Sequence, residues 1–170
     1  MSKSTKNRNF RSRSATLTIV IAACYAILVA GLAPISFLQF QVRVANALIG
    51  LAPILGAPAI YGITIGVFLG NITSPLGPID LLSTIPTFTG LWVIHKMKHR
   101  SVLLGLLSYS IIVSLWVTFI LKIILGLPYP ITFIYVLIGI ALSTMGLGYS
   151  LYKTLSKTKF IKHFLGELNE

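Results

Sequence analysis

Asp80 is the one acidic side chain ahead of Glu167 in a chain of 170 residues, 55% of them hydrophobic. The remaining acids, Glu167 and Glu170, lie in the last turn of sequence. An ionisable group in or beside membrane-spanning helices is expensive and is kept where it pairs or binds. A carboxylate can accept two parallel N–H bonds from an amidine-like or guanine-like edge. Asp80 follows Pro78 and opens a helix, so its plain role would be an N-cap. The polar face continuing through Ser83, Thr84 and Thr87 is more than a cap requires. Arg43, with Asn46 one turn later on the same face, is the natural counter-charge; its plain role would be snorkelling to head groups. Asn71 ends an apolar helix and needs hydrogen-bond partners there, from a ligand or from the helix end it would cap. Phe37, Phe40, Trp92, Tyr129 and Tyr135 could stack on a planar ligand, although aromatic residues also collect at membrane borders. Ser110, Ser114, Thr118 and Lys122 form one further polar stripe, with Lys122 placed to snorkel.

Other chemistries lack their residues. The chain has no Walker-type phosphate loop, no His-Glu-x-x-His helix and no second acid to pair with Asp80 for acid–base catalysis. His95, His99 and His163 stand among lysines and read as interfacial rather than metal-ligating. Cys24 is alone in an apolar run and reads as a small hydrophobe, so neither a disulfide nor a metal site is expected. The net charge of +11 is gathered at residues 3–13, 96–100 and 153–162, beside apolar segments. That is the pattern of cytoplasmic loops rather than of a nucleic-acid surface.

The elements follow from hydropathy and breakers. Mean hydropathy is +0.89, and apolar sequence runs from Ala15 to Tyr152, room for about six spans of roughly 20 residues. The sequence predicts an all-α membrane protein, a six-helix transmembrane bundle with short helices two to four. Predicted helices run from Ala15 to Ala33, from Val42 or Arg43 to Leu55, and from Ala59 to Thr73. Three more run from Asp80 to just before His95, from Val102 to Leu125 and from Ile131 to Tyr152. Pro34, Gly56-Ala-Pro58, Ser74-Pro75-Leu76-Gly77-Pro78 and Gly126 to Pro130 punctuate them. Residues 1–14 form a basic tail, 15–154 the membrane domain and 155–170 a basic amphipathic tail along the membrane surface. The first run reaches spanning length and is followed at once by further spans, so it reads as a retained helix rather than a signal peptide.

Six spans with a cytoplasmic N-terminus put all three basic clusters on one side, with both termini in the cytoplasm of a plasma-membrane protein. Arg43, Asn71, Asp80 and Tyr129 then converge on the external side. Short helices there point to irregular backbone lining an enclosed cavity. Ala22, Ala26 and Ala30 recur every fourth residue, as do Gly62, Gly66 and Gly70. Such stripes let helix backbones approach closely in lipid; the glycines read as internal packing, and the alanines are equally suited to docking another membrane protein.

Six short helices, the Ala-x-x-x-Ala face and an outward solute site resemble the substrate-binding S components of energy-coupling factor (ECF) transporters. Gln41-Val-Arg43-Val-Ala-Asn46-Ala-Leu, Gly62-x-x-x-Gly66, Gly70-Asn71 and Pro78-Ile-Asp80 are similar to the queuosine-precursor transporter (QueT) family. The resemblance covers about Ala15 to Met145 and departs at Asn46, where many members carry Glu. It implies uptake of a 7-deazaguanine-type precursor, with Asp80 and Asn71 at its guanine-like edge and Arg43 holding Asp80 or facing the carbonyl. Asn46, Thr84, Phe40 and Tyr129 complete the expected binding set. It further implies a membrane coupling subunit docked on Ala22, Ala26 and Ala30, with two ATPase subunits using ATP and no cofactor in this chain. Two other readings stay open: an S component for another, possibly anionic, vitamin or metabolite using Arg43 and Lys122, and a non-transporting scaffold.

Overall fold

The computed structural model describes residues 3–32 and 43–158, with side chains of the first helix described from Ser12 onward. The described residues form six helical units and no strand. The first, α1 (Lys3–Gly31), starts well before the apolar run. Its basic N-terminal stretch contains neither proline nor glycine, so nothing ends the helix there. The second unit, α2, is a tight 3-10 stretch, Val44–Leu51, that relaxes into a short α-helix, Ala52–Leu55. Pro53 sits in the first turn of that α-helix, where the N–H it lacks has no intrahelical partner to lose. Gly56, at φ 63°, turns the chain into α3 (Ala57–Asn71).

Gly77, at φ 78°, makes the next reversal, a conformation an L side chain rarely adopts. It leads into α4, again a 3-10 turn, Pro78–Ser83, followed by the α-helix Thr84–Met97. Ser101 caps α5 (Val102–Leu125), its hydroxyl accepting the Leu104 amide, and left-handed Gly126 ends it. The last unit, α6, comprises Tyr129–Ala141, a widened π-helical stretch Leu142–Gly148, and Tyr149–Lys157. The fourth helix therefore extends through His95, and the sixth runs past Tyr152.

By length and composition, Ser12–Gly31, Val102–Leu125 and Tyr129–Lys157 can each cross a membrane, whereas Val44–Leu55 and Ala57–Asn71 are shorter apolar helices. The protein is an all-α membrane protein. Its helices pack in the cyclic order α1, α3, α4, α5, α6, α2 and back to α1. Isoleucines 19, 27, 65, 85, 123 and 134 face outward, where lipid tails are as good a solvent for them as a protein core.

The glycine stripe is spent inside the bundle. A Cβ added at Gly62 would stand 2.8 Å from the Thr18 carbonyl oxygen, and one at Gly70 would stand 2.9 Å from Val29 Cβ. At Gly66 it would meet Tyr25 Cβ at 2.6 Å and the Ala22 carbonyl oxygen at 2.9 Å. These contacts hold α1 and α3 backbone to backbone. The alanine stripe is divided as a consequence: Ala22 is buried, Ala26 is half-buried and Ala30 is exposed. The expected free face of Ala22, Ala26 and Ala30 is thus corrected to its outer part, because α3 already occupies Ala22.

Candidate ligand chamber

The ring of helices encloses a polar cavity level with the middle of α5. It is lined by Tyr25 of α1, Arg43 and Asn46 at the start of α2, Ser83 and Thr87 of α4, Tyr109, Val113 and Val117 of α5, and Ile140 of α6. The side chains converge until the cavity's volume is about 10 Å³, room for about one water molecule. A bicyclic ligand must therefore displace side chains to enter.

The wall is built from chains of hydrogen bonds that run one way. The Arg43 guanidinium reaches the Tyr25 hydroxyl, and arginine can only donate. Tyr25 Oη in turn donates to Asn46 Oδ1 at 2.9 Å. Asn46 Nδ2 donates to Ser143 Oγ at 3.3 Å. Ser143 gives its only proton to the backbone, with Gly139 and Ile140 carbonyls 3.1 and 3.0 Å away. Because Ser143 is committed as a donor there, it can only accept from Asn46, which fixes the amide's orientation. The widened backbone of residues 142–148 brings Ser143 round to α2, and Thr144 to Ser110 of α5 at 2.8 Å.

A second chain ends on the acid. Trp116 Nε1 donates to Ser83 Oγ at 3.1 Å, and Ser83 Oγ donates to Asp80 Oδ1 at 2.7 Å. Asp80 Oδ2 lies 3.7 Å from Arg43 Nη2 and accepts no hydrogen bond within the described protein. Asp80 is 1% exposed, and no side-chain cap bond forms at the start of its helix. Its carboxylate is turned inward to the guanidinium instead. Arg43, 7% exposed, is equally far from a snorkelling arginine. Asn71 Nδ2 donates to the Asp80 carbonyl at 2.9 Å, tying the end of α3 to the first turn of α4, while its Oδ1 is buried and accepts no hydrogen bond from the described residues.

The residues expected from sequence fall into four groups. Arg43 and Asn46 line the cavity. Asp80 and Asn71 stand one layer behind it, joined to the lining through Arg43 and Ser83. The structure brings neither Thr84 nor Tyr129 to it: Thr84 Oγ1 is turned to the Leu81 carbonyl at 2.7 Å, and Tyr129 Oη donates to the Leu115 carbonyl at 3.2 Å. Phe40 and Phe37 lie outside the described residues, as does the tail after Thr158. Trp92 and Tyr135 are exposed on the outer surface, as is Lys122.

Tyr25, Tyr109, Trp116 and Ser143 were not singled out by residue pattern. Aromatic residues in apolar spans look like lipid-border residues until their polar tips find partners. The available signal was Tyr25 on the α1 face that meets the glycine stripe, since a tyrosine buried there needs a hydrogen-bond partner.

The family model described as QueT transporter matches residues 15–157 of the chain. No protein of curated function and no solved structure matches it significantly.

Proposed function

As the chain belongs to the QueT transporter family, a family of transporters rather than enzymes, we propose that it is the substrate-binding S component of an ECF transporter. Its solute in this reading is a 7-deazaguanine-type queuosine precursor taken up from outside. The observation that carries the reading is the enclosed chamber with Arg43 in its wall and Asp80 directly behind. Asp80 Oδ2 is a buried acceptor with a lone pair to spare, 3.7 Å from the guanidinium. A carboxylate so placed can take the paired N–H donors of a guanine-like edge once Arg43 gives way. Asn71 Oδ1, equally buried and equally open, supplies a further acceptor. Tyr109 and Tyr25 offer aromatic surface to a flat ring.

In this reading both termini and the basic clusters face the cytoplasm. The exposed outer part of the alanine stripe docks a membrane coupling subunit, and two ATPase subunits provide the energy. The anionic-solute alternative loses its second cation, because Lys122 is exposed at the end of α5. The scaffold alternative loses the glycine stripe, which is consumed between α1 and α3.

The test is equilibrium binding of 7-cyano- and 7-aminomethyl-7-deazaguanine to the full chain in nanodiscs. At least one base is expected to saturate the protein. Asp80→Asn, which strips Arg43 of its counter-charge, is expected to weaken binding by about 100-fold, in keeping with the roughly 3 kcal/mol cost of breaking a buried pair. Binding of neither base overturns the assignment; full affinity in Asp80→Asn moves the site elsewhere.

A further inference from the structure

We infer that the chamber selects a ligand that is uncharged where it is enclosed, and that Asn46 sets this preference by offering an N–H to a hydrogen-bond acceptor on it. The inference rests on the base-binding reading above and narrows it to one ligand chemistry.

Two independent observations carry it. The first is the charge balance. The charged side chains gathered at the chamber are Arg43 and Asp80, one of each sign and both buried. The other polar side chains of the lining, Tyr25, Asn46, Ser83, Thr87 and Tyr109, are neutral at pH 7. A neutral ligand leaves this balance at zero. An ammonium group brings a buried positive charge that no second carboxylate answers, beside a guanidinium already facing the one acid present.

The second is the orientation of the Asn46 amide. Its oxygen accepts from Tyr25 and one of its two protons goes to Ser143. The second amide proton is left for the cavity that Asn46 lines. Arg43 adds further donors on the same side. The α2 wall is therefore rich in donors, complementary to a carbonyl, ring nitrogen or nitrile and mismatched to an alkylammonium. Tyr25 acts here as a positioning residue, because its hydroxyl holds the amide oxygen away from the ligand.

The experiment compares the two probes by charge. At pH 7 the nitrile of 7-cyano-7-deazaguanine is neutral, whereas the amine of the 7-aminomethyl compound is protonated. In nanodisc titrations the wild-type chain is expected to bind the nitrile form at least about tenfold more tightly, given the cost of like charges brought together. Asn46→Asp, which keeps the shape and adds a carboxylate, is expected to reverse the order. Tyr25→Phe, which frees the amide to turn, is expected to narrow the ratio. Equal affinities in the wild type, or tighter binding of the amine, overturn the inference while leaving the base-binding reading intact. An unchanged order in a folded Asn46→Asp protein also overturns it. If that variant does not fold, the wild-type ratio decides alone. Binding of neither base overturns the underlying reading, and this inference with it.

Discussion

Two close helix contacts in this protein are both built on glycine, yet they differ in kind. Along the α1–α3 seam two regular helices lie against one another over residues 18–29 and 62–70, with glycine on one side and Thr18, Ile21, Tyr25 and Val29 on the other. At the α2–α6 crossing a 3-10 stretch meets a π-helical one, and Gly50 is set directly against the backbone of Gly148. The first contact is apolar and follows the four-residue repeat that regular helices impose. The second departs from regular helix on both sides, and it is there that Asn46 meets Ser143 across the chamber wall. Regular backbone suffices to hold two helices together. Aiming a buried amide and a buried hydroxyl at each other takes a local change of helical pitch, a device often found at functional sites.

The largest expected effect separates the two contacts. In Gly50→Ala the new methyl would overlap the Gly148 carbonyl oxygen, with the Tyr152 amide nitrogen 3.2 Å away. Backbone on both sides leaves nothing flexible to give. A loss of about 3 kcal/mol is expected, seen as a lower thermal midpoint of the purified protein together with weaker base binding. A wild-type midpoint would mean that the crossing is looser than described. Gly62→Ala strikes the seam instead, meeting the Thr18 carbonyl oxygen at 2.8 Å and Ile21 Cβ at 2.9 Å, where α1 can slide outward. It should cost about 2 kcal/mol and leave the ratio of affinities for the two bases untouched, since Gly62 itself meets Thr18 and Ile21, neither of them a chamber residue, while Tyr25, the chamber residue of the seam, packs one turn on against Gly66. A changed ratio would show that seam and chamber are coupled. The smallest effect is expected at Gly146, which shares the widened stretch but has nothing within 4 Å of a Cβ. Gly146→Ala should stay within about 0.5 kcal/mol in the same thermal assay. A large loss there would place the sensitivity in the helical pitch itself rather than in the Gly50–Gly148 approach.

Much of this architecture is legible in the residues. Proline and glycine mark where the helices break, since a missing N–H or a positive φ acts locally whatever the surroundings. Asp80 and Arg43 could be paired from composition alone, because a chain with one acid in its apolar region has few ways to neutralise a buried arginine. The glycine repeat announced a close helix contact for the same kind of reason. Which residues form the chamber wall was decided by the tertiary structure. Asp80 and Asn71, the strongest polar signals in the sequence, stand behind the lining. Tyr25 and Tyr109, which look like border aromatics, stand in it. Side-chain direction follows a fixed period only in regular helix, and here the 3-10 and π-helical stretches rotate Asn46 and Ser143 off that period. Their meeting depends on how α2 crosses α6, which is set by packing between segments nearly 100 residues apart in the chain.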